Sequence, residues 1–123
     1  MAFFFLREGE GIVKTVTLCL NKDFRTLYYH GKSRVHPLLV TYARRNKVGY
    51  PRIGITTGKK IGGAVQRSRS RRVIREAFRL QTPAVAGGWD LVFVARARTA
   101  AVKSTEIGAV MAEQLAALGV VAP

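Results

Sequence analysis

Two rhythms of hydrophobic and polar residues run along this chain and divide it into elements. In NKDFRTLYYHG, from Asn21 to Gly31, Phe24, Leu27 and Tyr28 recur at i, i+3, i+4, the spacing of one helix face. Asn21 suits the N-cap of that helix and Gly31 its C-terminal stop. Ser33 to Ala43 reads as extended, with Leu38, Val40 and Tyr42 alternating against Leu39, Thr41 and Ala43. Pro37 cannot donate to a strand ladder, so it marks an edge, a bulge or a strand start. RRNKVGYP, from Arg44 to Pro51, is a basic turn region, and Arg52 to Thr57 is a second strand with Ile53 and Ile55 on one side. Together they predict a hairpin or meander. Between Gln66 and Arg79 there is neither Gly nor Pro, and Val73, Ile74, Ala77 and Phe78 group on one side of a helix. Gln81 to Gly88 is a loop. Trp89 to Ala95 is the most apolar strand and is expected at the centre of the sheet. From Thr99 to Gly119, Val102, Ile107, Val110, Met111, Leu115 and Leu118 recur at helical spacing, predicting a structural helix over one sheet face.

Charge changes the picture. The chain of 123 residues carries 21 Lys and Arg against 7 Asp and Glu, a formal net charge of +14. Eight of the cations fall between Lys59 and Arg79, in KKIGGAVQRSRSRRVIREAFR, where Glu76 is the sole acid. Such a run can be a solvated helix face or a nuclear localisation signal. A solvated face mixes signs, however, and a disordered signal lacks apolar residues at helical spacing. The reading preferred here is phosphate binding, because self-repulsion at this density is relieved by a polyanion. Arg in preference to Lys suits bidentate phosphate recognition. Arg67, Arg71, Arg75 and Arg79 follow one another along a drifting stripe. Phe24 and Tyr28 are either core or part of a stacking platform for unpaired bases.

The search for an active site is nearly empty. The seven acids (Glu8, Glu10, Asp23, Glu76, Asp90, Glu106 and Glu113) show no acid–base or metal-binding spacing, and His30 and His36 belong to no metal motif. Gly58-Lys59 is not a phosphate loop: Ile53 stands where its first glycine belongs, and Lys60 follows the lysine. The single cysteine, Cys19, excludes an internal disulfide and fits a reducing compartment, with a half-buried strand or loop position expected. AFFFL, from Ala2 to Leu6, is too short for a signal peptide, and no stretch approaches a membrane span. The expected location is the cytoplasm. Residues 1–19 form an N-terminal extension expected to be poorly ordered in part, residues 20–119 one domain and residues 120–123 a tail. Val13 is a residue that alternative start codons can mimic, and a start there is one reading of the extension.

RIGITTGKKIGGAVQRSRSRRVIREAFR closely resembles the signature of the protein subunit of bacterial ribonuclease P. NKDFRTLYYHGKS resembles the first helix of that family, LLVTY its aromatic-bearing strand, and DLVFVAR with the final helix follows in the same order. The likeness covers about Leu20 to Leu118. This chain departs at Gly63, where the family commonly has Asn, at Arg67-Ser68-Arg69, where it has Arg-Asn-Arg, and in TVTLCL, where basic residues are sparse. The resemblance implies an α+β sandwich of order αβββαβα, with a four-stranded sheet and a left-handed crossover through the arginine helix. It implies an accessory subunit of an endoribonuclease, in which a catalytic RNA removes the 5′ leader of precursor tRNA with Mg²⁺ held mainly by that RNA. Lys59, Lys60, Arg67, Ser68, Arg69, Arg71, Arg72 and Arg75 would bind the RNA. Phe24, Tyr28, Val40 and Tyr42 would line a cleft for the precursor tRNA leader. No catalytic or metal-binding side chain, membrane or obligate protein partner is implied. Three rivals remain: a ribosome-associated RNA-binding protein, an independent nuclease and a cationic membrane-surface protein. The missing carboxylates speak against the second, and the few bulky apolar groups on the basic helix against the third.

Overall fold

A computed structural model describes residues 3–8, 11–17, 21–81, 85 and 88–121. From the first helix onward the order is α1 (Asn21–His30), β3 (Lys32–His36), β4 (Leu39–Arg45), β5 (Arg52–Thr56), α2 (Ala64–Arg79), β6 (Trp89–Ala95) and α3 (Ser104–Ala117). This is the expected αβββαβα. Short 3-10 turns at Lys59–Ile61 and Thr99–Ala101 precede α2 and α3. Strands β3 to β6 form the four-stranded mixed sheet. An antiparallel hairpin of β1 (Phe3–Glu8) and β2 (Gly11–Thr17), within the segment read as an extension, continues it to six strands in the order β1-β2-β5-β6-β4-β3. Cys19 lies outside the described residues.

Strand β6 is central, as its apolar run predicts. It pairs antiparallel with β4 and parallel with β5. The hairpin or meander expected of β4 and β5 is therefore corrected: β6 lies between them, and the basic turn spans that gap. Asn46 and Asp90 stabilise the turn. The Asn46 amide donates to Asp90 Oδ1 at 2.7 Å and to the Tyr50 carbonyl at 3.2 Å, while Arg52 grips both Asp90 carboxylate oxygens at 2.7 Å. The extended run 33–43 is also divided. Pro37 and Leu38 form the turn of a β3–β4 hairpin, with Val35 opposite Val40. A ring that cannot donate to a ladder ends up at the bend.

The sheet buries its two faces unequally. Leu39, Ala43, Ile53, Leu91 and Phe93 meet Val73, Ile74, Ala77 and Phe78 of α2 and Ile107, Met111 and Leu115 of α3 in the main core. The four α2 residues are those the helical spacing singled out. Gln114 of α3, almost wholly buried, accepts from Thr41 Oγ1 at 2.6 Å and donates to the carbonyls of Leu39 and Arg34, tying α3 to β3 and β4. On the other face α1 buries Leu27 against Val92, with Phe24, Tyr42 and Val94 around them. One fully buried leucine is worth about 1.5–3 kcal/mol, a modest hold that leaves the aromatic flank of α1 partly open. At Gly31 the backbone passes so close that a Cβ would sit 2.5 Å from the Leu27 carbonyl oxygen. Glycine is required there by contact rather than by a left-handed φ. No helix among the described residues is long and apolar enough to cross a membrane.

Candidate nucleic-acid interface

Because α2 turns Ser70, Val73, Ile74, Ala77 and Phe78 inward, the other residues of its sequence have to face out. Ser68, Arg69, Arg71, Arg72 and Arg75, with Val65, line one groove of about 550 Å³. Five of the eight predicted RNA-binding residues thus come together. Lys60 is exposed on the preceding 3-10 turn, and the Lys59 side chain lies outside the described residues. Arg67 is half-buried and is not among the residues lining the groove. The last arginine of the stripe, Arg79, turns back onto Glu76 and holds that carboxyl below the usual carboxylate range, chiefly through its hydrogen bond. Gly62 enters the helix at φ 130°, a conformation for glycine, and Gly63 occupies the N-cap with no side-chain oxygen to offer.

Two of the groove arginines are aimed by backbone or hydroxyl partners. Arg69 Nε donates to the Ala100 carbonyl at 2.7 Å, and Arg71 Nη1 to Thr57 Oγ1 at 2.9 Å. Thr99, fully buried, fixes the first anchor: its hydroxyl donates to the Leu38 carbonyl and accepts from the Arg96 amide. Orienting a guanidinium in advance reduces the entropy lost when it meets a phosphate.

Thr57 also belongs to a second groove, of about 540 Å³, lined by Phe24, Arg25, Tyr28, Ile55, Thr56 and Thr57. Tyr28 stands edge-on to Tyr42 with ring centroids 4.9 Å apart and shares a 3.2 Å hydrogen bond with Thr56. Of the four predicted cleft residues, Phe24 and Tyr28 line this groove. Tyr42 backs Tyr28 from β4, and Val40 is 6 % exposed beneath the same helix-bearing face. The Arg71–Thr57 bond joins the aromatic groove to the cationic one. Sequence reasoning missed Arg25, Thr56 and Thr57. Strand alternation could have found Thr56, because it falls opposite in phase to Ile53 and Ile55.

Among the described residues no three His, Cys, Asp or Glu side chains come together.

An α+β layer carrying one guanidinium-rich helix beside an aromatic groove defines a small class of protein. The family model of ribonuclease P matches residues 13–119, and the chain belongs to the ribonuclease P protein component family, whose members take part in tRNA processing as part of an endoribonuclease. It is 45 % identical over 84 residues to the ribonuclease P protein component of Clostridioides difficile, covering 68 % of this chain and 74 % of the relative. That of Alkaliphilus metalliredigens is 42 % identical over 76 residues, 62 % of this chain and 68 % of the relative. The RNase P protein of Staphylococcus aureus superimposes with a TM-score of 0.75 at 28 % identity, covering 85 % of this chain and 96 % of the other. The Thermotoga maritima protein gives 0.70 at 28 % identity, over 79 % and 92 %.

Proposed function

We propose that this chain binds the ribonuclease P catalytic RNA through the α2 groove and the precursor tRNA 5′ leader through the groove between α1 and β5. One observation carries the reading: Arg71 of the first groove donates to Thr57 of the second, so the two grooves adjoin. Single-stranded RNA leaving a folded RNA can pass from guanidinium groups to aromatic faces without a break. Arg69, Arg71, Arg72 and Arg75 neutralise phosphates, while Phe24 and Tyr28 offer ring surface to unpaired bases. Ser68 lines the first groove beside those arginines, Lys59, Lys60 and Arg67 would add further phosphate contacts, and Tyr42 and Val40 support the second groove.

The chain acts on the reaction by holding the two RNAs together, and bond cleavage belongs to the RNA. Mg²⁺ stays in this reading as an ion of the RNA. The expected place of action is the cytoplasm, where precursor tRNA would be met.

Reconstitution with a bacterial ribonuclease P RNA and a precursor tRNA tests the proposal. The expected result is correct 5′ maturation that rises on adding the protein and falls with Arg71→Ala. Cleavage of precursor by the protein alone, or RNA-only activity unchanged by the protein at low salt, would refute it.

A further inference from the structure

The opposite end of the sheet carries a second cationic groove, outside both surfaces described above. It has a volume of about 480 Å³ and is formed where β4 ends, β6 begins and α3 stops, with His30, Lys32, Arg44, Arg45 and Trp89 around it. Arg45 and Trp89 are opposite one another in the β4–β6 register, and the Arg45 guanidinium lies over the indole ring, 5.2 Å from its centroid. Thr56 of the aromatic groove is opposite Val94, five residues further along β6 than Trp89, so the two sites are roughly 16 Å apart along the strand. They also open on different faces: Trp89 packs against the α2/α3 core, whereas Tyr28 and Thr56 face the α1 side.

We propose that this groove binds single-stranded RNA, an unpaired base stacking on the Arg45–Trp89 pair while Lys32, Arg44 and Arg45 take its flanking phosphates. Guanidinium planes and aromatic rings are the two surfaces on which unpaired bases stack, and here they are already layered. A structural role for the cations, balancing helix C-termini, is too small to use them. Helices α1 and α3 both end here, and each terminus carries about −0.5 of a charge, against three full positive charges. Asp90, opposite Arg44, already gives both carboxylate oxygens to Arg52. Charge is left over for a polyanion. The proposal rests on the RNA-binding role above and adds a contact to it.

Trp89 is the single tryptophan of the chain, so its fluorescence reports on this groove alone. The experiment titrates the full chain with unlabelled oligouridylate, and in parallel measures anisotropy of a fluorescein-labelled copy. Trp89 emission is expected to be quenched on binding. The pair Lys32→Ala and Arg45→Ala should raise the quench midpoint by roughly 5-fold or more, the effect of losing one stacked base. The pair Arg71→Ala and Arg72→Ala should weaken the binding read by anisotropy and leave the full Trp89 quench at saturation, as expected of a separate site. Thermal unfolding of each variant checks that the fold persists. Oligouridylate binding by anisotropy without any change in Trp89 emission would overturn the second groove and leave the α2 surface standing. Quenching lost with the α2 pair but kept with Lys32→Ala and Arg45→Ala would overturn it too. No binding in either readout would remove the RNA-binding role itself.

Discussion

The number of phosphates the α2 surface can neutralise sets how steeply its RNA affinity falls with salt, and the structure supplies that number. Lys60, Arg69, Arg71, Arg72 and Arg75 are exposed and Arg67 is half-buried, while Arg79 is taken up by Glu76. Six contacts at about −0.7 each for single strands or −0.9 for duplex give a log–log slope of roughly −4 to −5. Between 50 and 200 mM salt, affinity for precursor tRNA should therefore fall about 300- to 2000-fold. Arg72→Ala removes one contact, makes the slope shallower by about 0.7–0.9, and narrows that fall by roughly threefold. Arg34→Ala is the matched control. Arg34 is exposed on β3 and lines neither the α2 groove nor the Trp89 groove, and the slope should not change. Fluorescence anisotropy at several salt concentrations measures both. A wild-type slope of about −1 or −2, or the same change from Arg72→Ala and Arg34→Ala, would refute the assignment of α2 as the phosphate-binding face.

Three further expectations concern the rest of the molecule. Gln114→Leu leaves the buried Thr41 hydroxyl and two carbonyls without their partner and should cost about 2–4 kcal/mol in denaturant unfolding. Adding Thr41→Val to it should cost less than Thr41→Val alone, and additive losses would mean the amide is not the link between α3 and β4. Ser70 Oγ is buried and has no hydrogen-bond partner among the described residues, so Ser70→Ala should stabilise the protein by about 0.5–1.5 kcal/mol, through helix propensity and a removed desolvation penalty; a loss of stability would show that the hydroxyl is in use. Phe24→Ala should weaken binding of leader-bearing precursor more than of mature tRNA, and equal effects would remove the leader from the α1–β5 groove.

Periodicity located α1, α2, β6 and α3 because each must bury one stripe or run against the sheet, and burial is written locally. It placed Val73, Ile74, Ala77 and Phe78 in the core, and so the guanidinium face outward. It misjudged strand pairing. The segments of β4 and β5 are neighbours in sequence, and a basic turn between two strands looks like a hairpin, yet their ladder partner is the distant β6. It read 33–43 as one extended run because side chains keep alternating through Pro37 and Leu38, where the backbone turns. The Arg45–Trp89 layer went unseen for the same reason: those residues are adjacent only across the β4–β6 register.

By itself, then, the sequence determined the apolar stripe that α2 buries, the outward cationic face of that helix, and, through RIGITTGKKIGGAVQRSRSRRVIREAFR, the family. Tertiary structure decided which arginines converge, which is turned back onto Glu76, and that Thr57 joins the two grooves. Burial follows from local composition and period, whereas convergence depends on strand order and on hydrogen bonds between segments far apart in the chain.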